Sequence, residues 1–232
     1  KNAVEIIGIQ YFSGTQKTSL KRIKREIDYA DAFLAELENE YGFKSDEFEY
    51  GPGLPVAYFD TDNFNEEEYL AEFSSLLSSM KYKAKITLEV GRSLVADCGN
   101  YITKVVDMKS NQNQNYAIVD GGMNHITYFG QSMAMKHPFH SLFPLRDEGE
   151  TKNWNICGSL CTVNDILMKN TPMTNLKIGD AIVFKKTGAY CATEGISLFL
   201  SRDLPQVLII DENGNINCAR EAVATYKLNK AN

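Results

Sequence analysis

A chain of 232 residues with 44% hydrophobic content can bury a sizeable core, as one large domain or two smaller ones. Its 24 basic and 30 acidic residues leave a net charge of −6 with no basic stripe, which argues against nucleic acid as a partner. No apolar run reaches the roughly 18 residues that cross a bilayer, and no signal-peptide order opens the sequence, so no membrane partner and a cytoplasmic location are expected. Five cysteines (Cys98, Cys157, Cys161, Cys191, Cys218) lack CxxC spacing and only three histidines accompany them, so reduced thiols and no metal site are expected.

Residues 4 to 12 read as a strand and Ser13-Gly14-Thr15-Gln16 as a turn. Leu20, Ile23, Ile27, Ala30, Leu34 and Leu37 then recur at three-and-four spacing, which marks an amphipathic helix. A short strand near Phe48-Glu49-Tyr50 runs into Gly51-Pro52-Gly53. Asn65 precedes three glutamates and an apolar ladder at Tyr69, Phe73, Leu76, Leu77 and Met80, the pattern of a second helix whose first turn suits the helix dipole. Ile86 to Val90 supplies a third strand. This alternation predicts a parallel α/β layer over residues 1–95. Past Ser93 short β segments take over, at Tyr101 to Met108, Tyr116 to Val119, Asp180 to Phe184 and Gln206 to Ile210, with Asn111 to Asn115 as a polar loop tip. They predict an antiparallel barrel or sandwich over residues 96–232.

In parallel α/β layers, ligands gather at the C-terminal ends of the strands. Three polar clusters fall there: Gly14-Thr15, Gly51-Pro52-Gly53, and Glu89-Val90-Gly91-Arg92. Glycines let backbone amides close on a phosphate, Thr15 can donate a hydroxyl, and Arg92 supplies charge-assisted donors. Each cluster alone also has an ordinary explanation. Gly51-Pro52-Gly53 could be a plain turn, Thr15 a helix cap, and Arg92 the partner of Asp97 or Glu89.

Together the motifs resemble the pyridoxal-phosphate-dependent decarboxylases of the alanine-racemase barrel type, the diaminopimelate, ornithine and arginine decarboxylases. Gly8-Ile9-Gln10-Tyr11-Phe12-Ser13-Gly14-Thr15-Gln16 is similar to the family's GxHxHxGSQ strand, Gly51-Pro52-Gly53-Leu54 to its triple-glycine loop, and Glu89-Val90-Gly91-Arg92 to its EPGR motif. Asp120-Gly121-Gly122-Met123, Gly158-Ser159-Leu160-Cys161 with Asp165, and Gly188-Ala189-Tyr190 follow in the family's order. The resemblance implies the C-terminal part of a TIM barrel, about three strand-helix units, followed by a β domain. It implies pyridoxal 5'-phosphate as cofactor, a homodimer with shared sites, and decarboxylation of an amino acid. Glu89 would keep the ring nitrogen protonated, which favours decarboxylation over racemisation. Gly53, Gly91, Arg92, Thr15 and Tyr190 would hold the phosphate, and Phe12 would lie against the ring. Cys161 would reach a neighbouring subunit's site and help reprotonate the product carbon. Asp165 would face the substrate's amine end or the partner site.

Departures from the pattern concern the substrate. Thr162 replaces a glutamate, and His125-Ile126-Thr127-Tyr128 replaces an Arg-Pro pair, both at positions of substrate recognition in the family. Free diaminopimelate is thereby disfavoured, and an aminoacyl group on a carrier protein is an alternative substrate. A non-catalytic regulatory homologue is the alternative of another class. The family's cofactor-bonding lysine lies in an early Tyr-Ala-x-Lys-Ala-Asn strand, which does not precede Gly8; Lys230-Ala231-Asn232 repeats its core where the strand pattern fails. With Lys1 in first place, the expectation is a piece of a longer decarboxylase, inactive alone.

Overall fold

The computed structural model describes residues 4–131, 134–228 and 230, so Ala231 and Asn232 of the C-terminal tripeptide lie outside the described residues. The chain divides into two compact units: Lys1–Ala57 with Asp62–Val95, and Tyr58–Thr61 with Ala96–Asn232. Among the described residues, no helix is long and apolar enough to cross a membrane, and no cluster of three metal-ligating side chains occurs.

The first unit runs β1 (Gly8–Phe12), α1 (Leu20–Tyr41), β2 (Glu47–Gly51), α2 (Glu66–Ser78) and β3 (Lys85–Leu88). The three strands form one parallel sheet in the order β1-β2-β3. Ile23, Ile27 and Leu34 of α1 and Tyr69 and Phe73 of α2 pack on Phe48 and Tyr50 of the central strand. Each such side chain stabilises the unit by roughly 1.5–3 kcal/mol. Asn65 caps α2 by accepting from Glu68 N at 3.3 Å, and Gly42, at φ +68°, closes α1 in the left-handed region. The strand predicted from Val4 begins only at Gly8.

Because side chains alternate across a strand, the opposite sheet face carries Gln10 and Phe12, Glu47 and Glu49, and Lys85 and Thr87. A parallel sheet covered on both faces would be apolar there. This face is built for polar contents.

The second unit holds a six-stranded sheet in the order β6 (His140–Phe143), β9 (Ala181–Lys185), β4 (Asn100–Asn111), β5 (Gln114–Val119), β7 (Thr151–Cys157) and β8 (Ile166–Thr174). Tyr101, Thr103 and Val105 alternate into the core from β4. Gln112 and Asn113 turn the β4–β5 hairpin with positive φ at both positions. The expected antiparallel arrangement needs correction, since β5 and β7 pair in parallel. The residues between them, including β6, make the crossover a parallel pair requires. A separate hairpin joins β10 (Val207–Ile210) to β11 (Ile216–Arg220).

Candidate functional site

The tips of the first three strands meet. Gly53 has φ +61°, and a Cβ there would stand 2.1 Å from Gly14 O and 2.9 Å from Thr15 Cα, so the loop after β2 lies directly on the loop after β1. Lys17 N donates to Gly53 O at 3.0 Å and ties the same loops again. From beyond β3, Arg92 Nε donates to Thr15 Oγ1 at 3.2 Å. Arg92 is only 8% exposed. Gln16 clamps Val56 through both its amide atoms. Among the described residues, no protein acceptor takes the backbone N–H of Gly14, Thr15, Gly53 or Gly91. A fixed loop pair with spare amides, a hydroxyl and a guanidinium fits a phosphate ester.

Asp97 pairs with Lys186 at 2.6 Å. Glu89 accepts from Gln10 Nε2 at 3.0 Å. Ser19, not Thr15, stands at the N-cap of α1. Glu89 lies just past β3 and is exposed, with Gln10 holding one oxygen and the other left for a cationic N–H. Phe12 is 56% exposed, and its ring covers Gly51 so closely that a Cβ there would come within 2.6 Å. Thr15, Gly53 and Arg92 are therefore brought into direct contact, while Phe12 and Glu89 end the flanking strands on the polar face.

Sequence reasoning missed what lies behind the loop. The Lys17 side chain is fully buried and Nζ contacts Glu26 Oε2 at 2.7 Å and Ser13 Oγ at 2.9 Å. Glu26 also accepts from Ser13 Oγ at 2.6 Å, Tyr50 Oη at 2.9 Å and Arg22 Nε at 3.1 Å. Burial pushes the Glu26 carboxyl up, yet the bonds from Lys17, Ser13 and Tyr50 outweigh it and hold it below its usual range. Burial, then Glu26, raise the Tyr50 phenol, and Tyr69, which donates to Lys17 O, is pushed up to about 12. The signal was available: Lys17 is the one charged residue between β1 and α1, and Glu26 falls on the apolar stripe between Ile23 and Ile27.

In the second unit the C-terminal ends of β5, β7 and β9 share one end of the sheet, because β5 and β7 are parallel and β9 reaches β5 through two antiparallel pairings. The loops carrying Gly121 to Met123, Gly158 to Asp165 and Tyr190 all start there. Asp165 is 2% exposed. Its carboxylate accepts from Met123 N and Leu160 N, both at 2.8 Å, and leaves no room for a side chain at Gly122 or Gly158. Asp165, expected to face the substrate's amine end or the partner site, is buried between two backbone amides and staples two loops together. Thr162 is held in the same turn, its N–H on Leu160 O and its carbonyl on Asp165 N. Cys161, by contrast, is exposed at the turn's apex. Tyr190 is 49% exposed with φ +63°, a left-handed conformation that costs strain. His125, in the stretch that replaces the family's Arg-Pro pair, has Nδ1 on Tyr101 Oη at 2.8 Å and Nε2 on Asp203 O at 2.9 Å. Burial raises the Tyr101 phenol to about 12.

The pyridoxal-dependent decarboxylase family, in its C-terminal sheet domain, matches residues 25–188, and the chain belongs to that family. It is 28% identical over 229 residues to the L-glutamyl-[BtrI acyl-carrier protein] decarboxylase of Niallia circulans, covering 93% of this chain and 53% of that one. It is 26% identical over 219 residues to the diaminopimelate decarboxylase of Methanocaldococcus jannaschii, covering 91% and 48%. The solved diaminopimelate decarboxylase of Helicobacter pylori with L-lysine shares the fold, at TM-score 0.80 and 24% identity over 96% of this chain and 53% of that one. The chain thus spans about half the length of the relatives it matches.

Proposed function

We propose that this family member is the phosphate- and ring-nitrogen-binding part of a pyridoxal-phosphate-dependent amino-acid decarboxylase, with residues 1–95 as a partial barrel and 96–232 as the β domain. The observation that carries this is the junction of Thr15, Gly53 and Arg92, where three strand tips leave donors for one phosphate. Bound there, the cofactor supplies a ring that takes up the electron pair left when carbon dioxide departs. The chain's own residues bind and orient. Gly14, Thr15 and Gly53 give amides, Gly91 and Arg92 close the third side, and Phe12 offers a flat apolar surface. Tyr190 belongs to the same assignment through the family resemblance. Glu89, steadied by Gln10, holds a proton on the ring nitrogen. Cys161 stands exposed as a thiol able to return a proton to carbon, and a homodimer would bring it to a second site.

Titration with pyridoxal phosphate against pyridoxal tests the reading. A preference for the phosphorylated form that falls about tenfold or more in Arg92→Ala supports it, that being the scale of one lost charge-assisted bond. Equal affinity for both forms overturns it. In the first unit, Lys17 is turned to Glu26 and Lys85 is paired with Glu47 at the opposite end of its strand. With no sheet lysine at the tips among the described residues, carbon dioxide release is a property proposed for the whole protein, and robust turnover by these 232 residues alone would refute that assignment.

A second substrate reading has its own support. Both ring nitrogens of His125 are engaged and Thr162 is bound into its turn, so neither is poised to grip a distal charged group of a free diamino acid. An aminoacyl group carried on a protein, the substrate class named for the Niallia relative, suits that arrangement. Assays of the whole protein with free and carrier-bound amino acids distinguish the two.

A further inference from the structure

Lys17 is a fully buried cation directly behind the loop just assigned to phosphate, and nothing in that assignment uses it. We propose that Lys17 is a positioning residue that sets phosphate affinity by locking Ser13 and hence the Ser13–Lys17 loop; this rests on the phosphate reading of the strand tips.

The geometry leaves the loop almost no freedom. Ser13 Oγ is held between Lys17 Nζ and Glu26 Oε1, and Ser13 O accepts from Arg22 Nη2 at 2.9 Å. At the other end, Lys17 N is bonded to Gly53 O and Lys17 O to Tyr69 Oη at 2.6 Å. Lys17 Nζ also lies 5.9 Å from the Tyr50 ring centroid, a cation–π contact that further fixes it. Gly14 and Thr15, whose amides are spare, are thus suspended between two anchors that both depend on Lys17. Rigid presentation removes the ordering cost that a mobile loop would incur on binding. The charge sum matters too. Lys17 and Arg22 share the single carboxylate of Glu26, so the cluster carries a net positive charge behind the loop that faces a phosphate dianion.

Two variants separate positioning from charge. Lys17→Met removes the anchor and leaves Glu26 with Arg22 alone, whereas the double variant Lys17→Met with Glu26→Gln removes the anchor, restores the net charge, and keeps one acceptor oxygen for Tyr50 or Ser13 with an NH₂ that can donate to the other hydroxyl. Affinities of the 232-residue chain for pyridoxal phosphate, inorganic phosphate and pyridoxal are measured with thermal midpoints and exchange of the position-17 backbone amide, which donates to Gly53 O. The expected result is at least a tenfold loss for both phosphate ligands in Lys17→Met, less than a twofold change for pyridoxal, and at least tenfold faster exchange at the position-17 amide. In the double variant the thermal midpoint recovers while phosphate affinity stays low. Recovery of phosphate affinity in the double variant would show that Lys17 only balances charge and overturn the proposal, as would an equal loss for pyridoxal. If the unmodified chain binds no phosphate ligand, the reading of the strand tips falls. The positioning claim is then decided by exchange in the unliganded chain, where unchanged rates in Lys17→Met overturn it.

Discussion

Gly53→Ala is the sharpest perturbation of the strand-tip junction, because two separate costs act at one atom. Alanine at φ +61° is strained by about 1 kcal/mol or slightly more. Its Cβ would also sit 2.1 Å from Gly14 O, more than 1 Å inside ordinary contact, against backbone that cannot rotate aside. Separating the loops far enough breaks the 3.0 Å bond from Lys17 N to Gly53 O, worth about 1 kcal/mol, and pulls Thr15 from the Arg92 guanidinium. The sum is roughly 2–4 kcal/mol against the first unit. Both long helices belong to that unit, so circular dichroism at 222 nm during urea denaturation follows it. The single tryptophan, Trp154 on β7, reports the second unit by fluorescence. Gly42→Ala is the control: φ is +68° but nothing lies within 4 Å of the added Cβ, so only the strain of about 1 kcal/mol is expected and ligand affinity stays put. Should Gly53→Ala cost no more than Gly42→Ala, or keep its affinity for pyridoxal phosphate within twofold, the contact between the loops does not set the site.

Asp165→Asn places an amide NH₂ opposite one of two buried backbone N–H groups. The Trp154 transition should lose about 1–3 kcal/mol, and a loss under about 0.5 kcal/mol would contradict the staple. Asn65→Ala should lower the helical transition by about 1 kcal/mol, read by the same 222 nm melt. Acidification tests Glu26 and Asp180. For Asp180, burial raises the carboxyl but the Arg146 fork, at 2.6 and 2.8 Å, and Lys177 N outweigh it, so both groups sit below their ordinary values when folded. Their contribution is therefore fully present above the unfolded values and drains as pH falls through the folded ones, below about pH 4. Arg146→Leu, which leaves Asp180 buried without its fork, should flatten or reverse this acid slope in the Trp154 transition, and an unchanged slope would count against the pair.

The first unit was legible because its signals are local. Leu20 to Leu37 and Tyr69 to Met80 are periodic over several turns, and glutamates after Asn65 mark a helix start that the side chain then caps. The strand tips were legible for a topological reason: in a strand-helix alternation every C-terminal end falls on one edge of the sheet. Lys17 and Glu26 escaped because a charged pair on an apolar stripe looks like a break in the pattern until Tyr50 and Ser13 are seen to complete it. Gln10 escaped because its partner, Glu89, is 79 residues away.

The second unit shows what alternation cannot carry. Inward and outward residues along β5 and β7 fix which face is buried, but the same pattern serves a parallel or an antiparallel neighbour. Direction decides the site here. Were β5 and β7 antiparallel, the Gly121–Met123 and Gly158–Asp165 loops would leave opposite ends of the sheet, and Asp165 could not accept from both Met123 N and Leu160 N. It also decides what a motif residue does. Arg92 and Asp165 are each charged, each near a glycine and each less than a tenth exposed. Yet Arg92 donates to a hydroxyl beside spare amides, while both carboxylate oxygens of Asp165 are taken by backbone N–H groups. A charged side chain joined to groups with capacity left over can serve a ligand, and one whose partners are backbone amides serves the loop. That difference lies in the three-dimensional partners, which neither a strand-tip position nor a motif match carries.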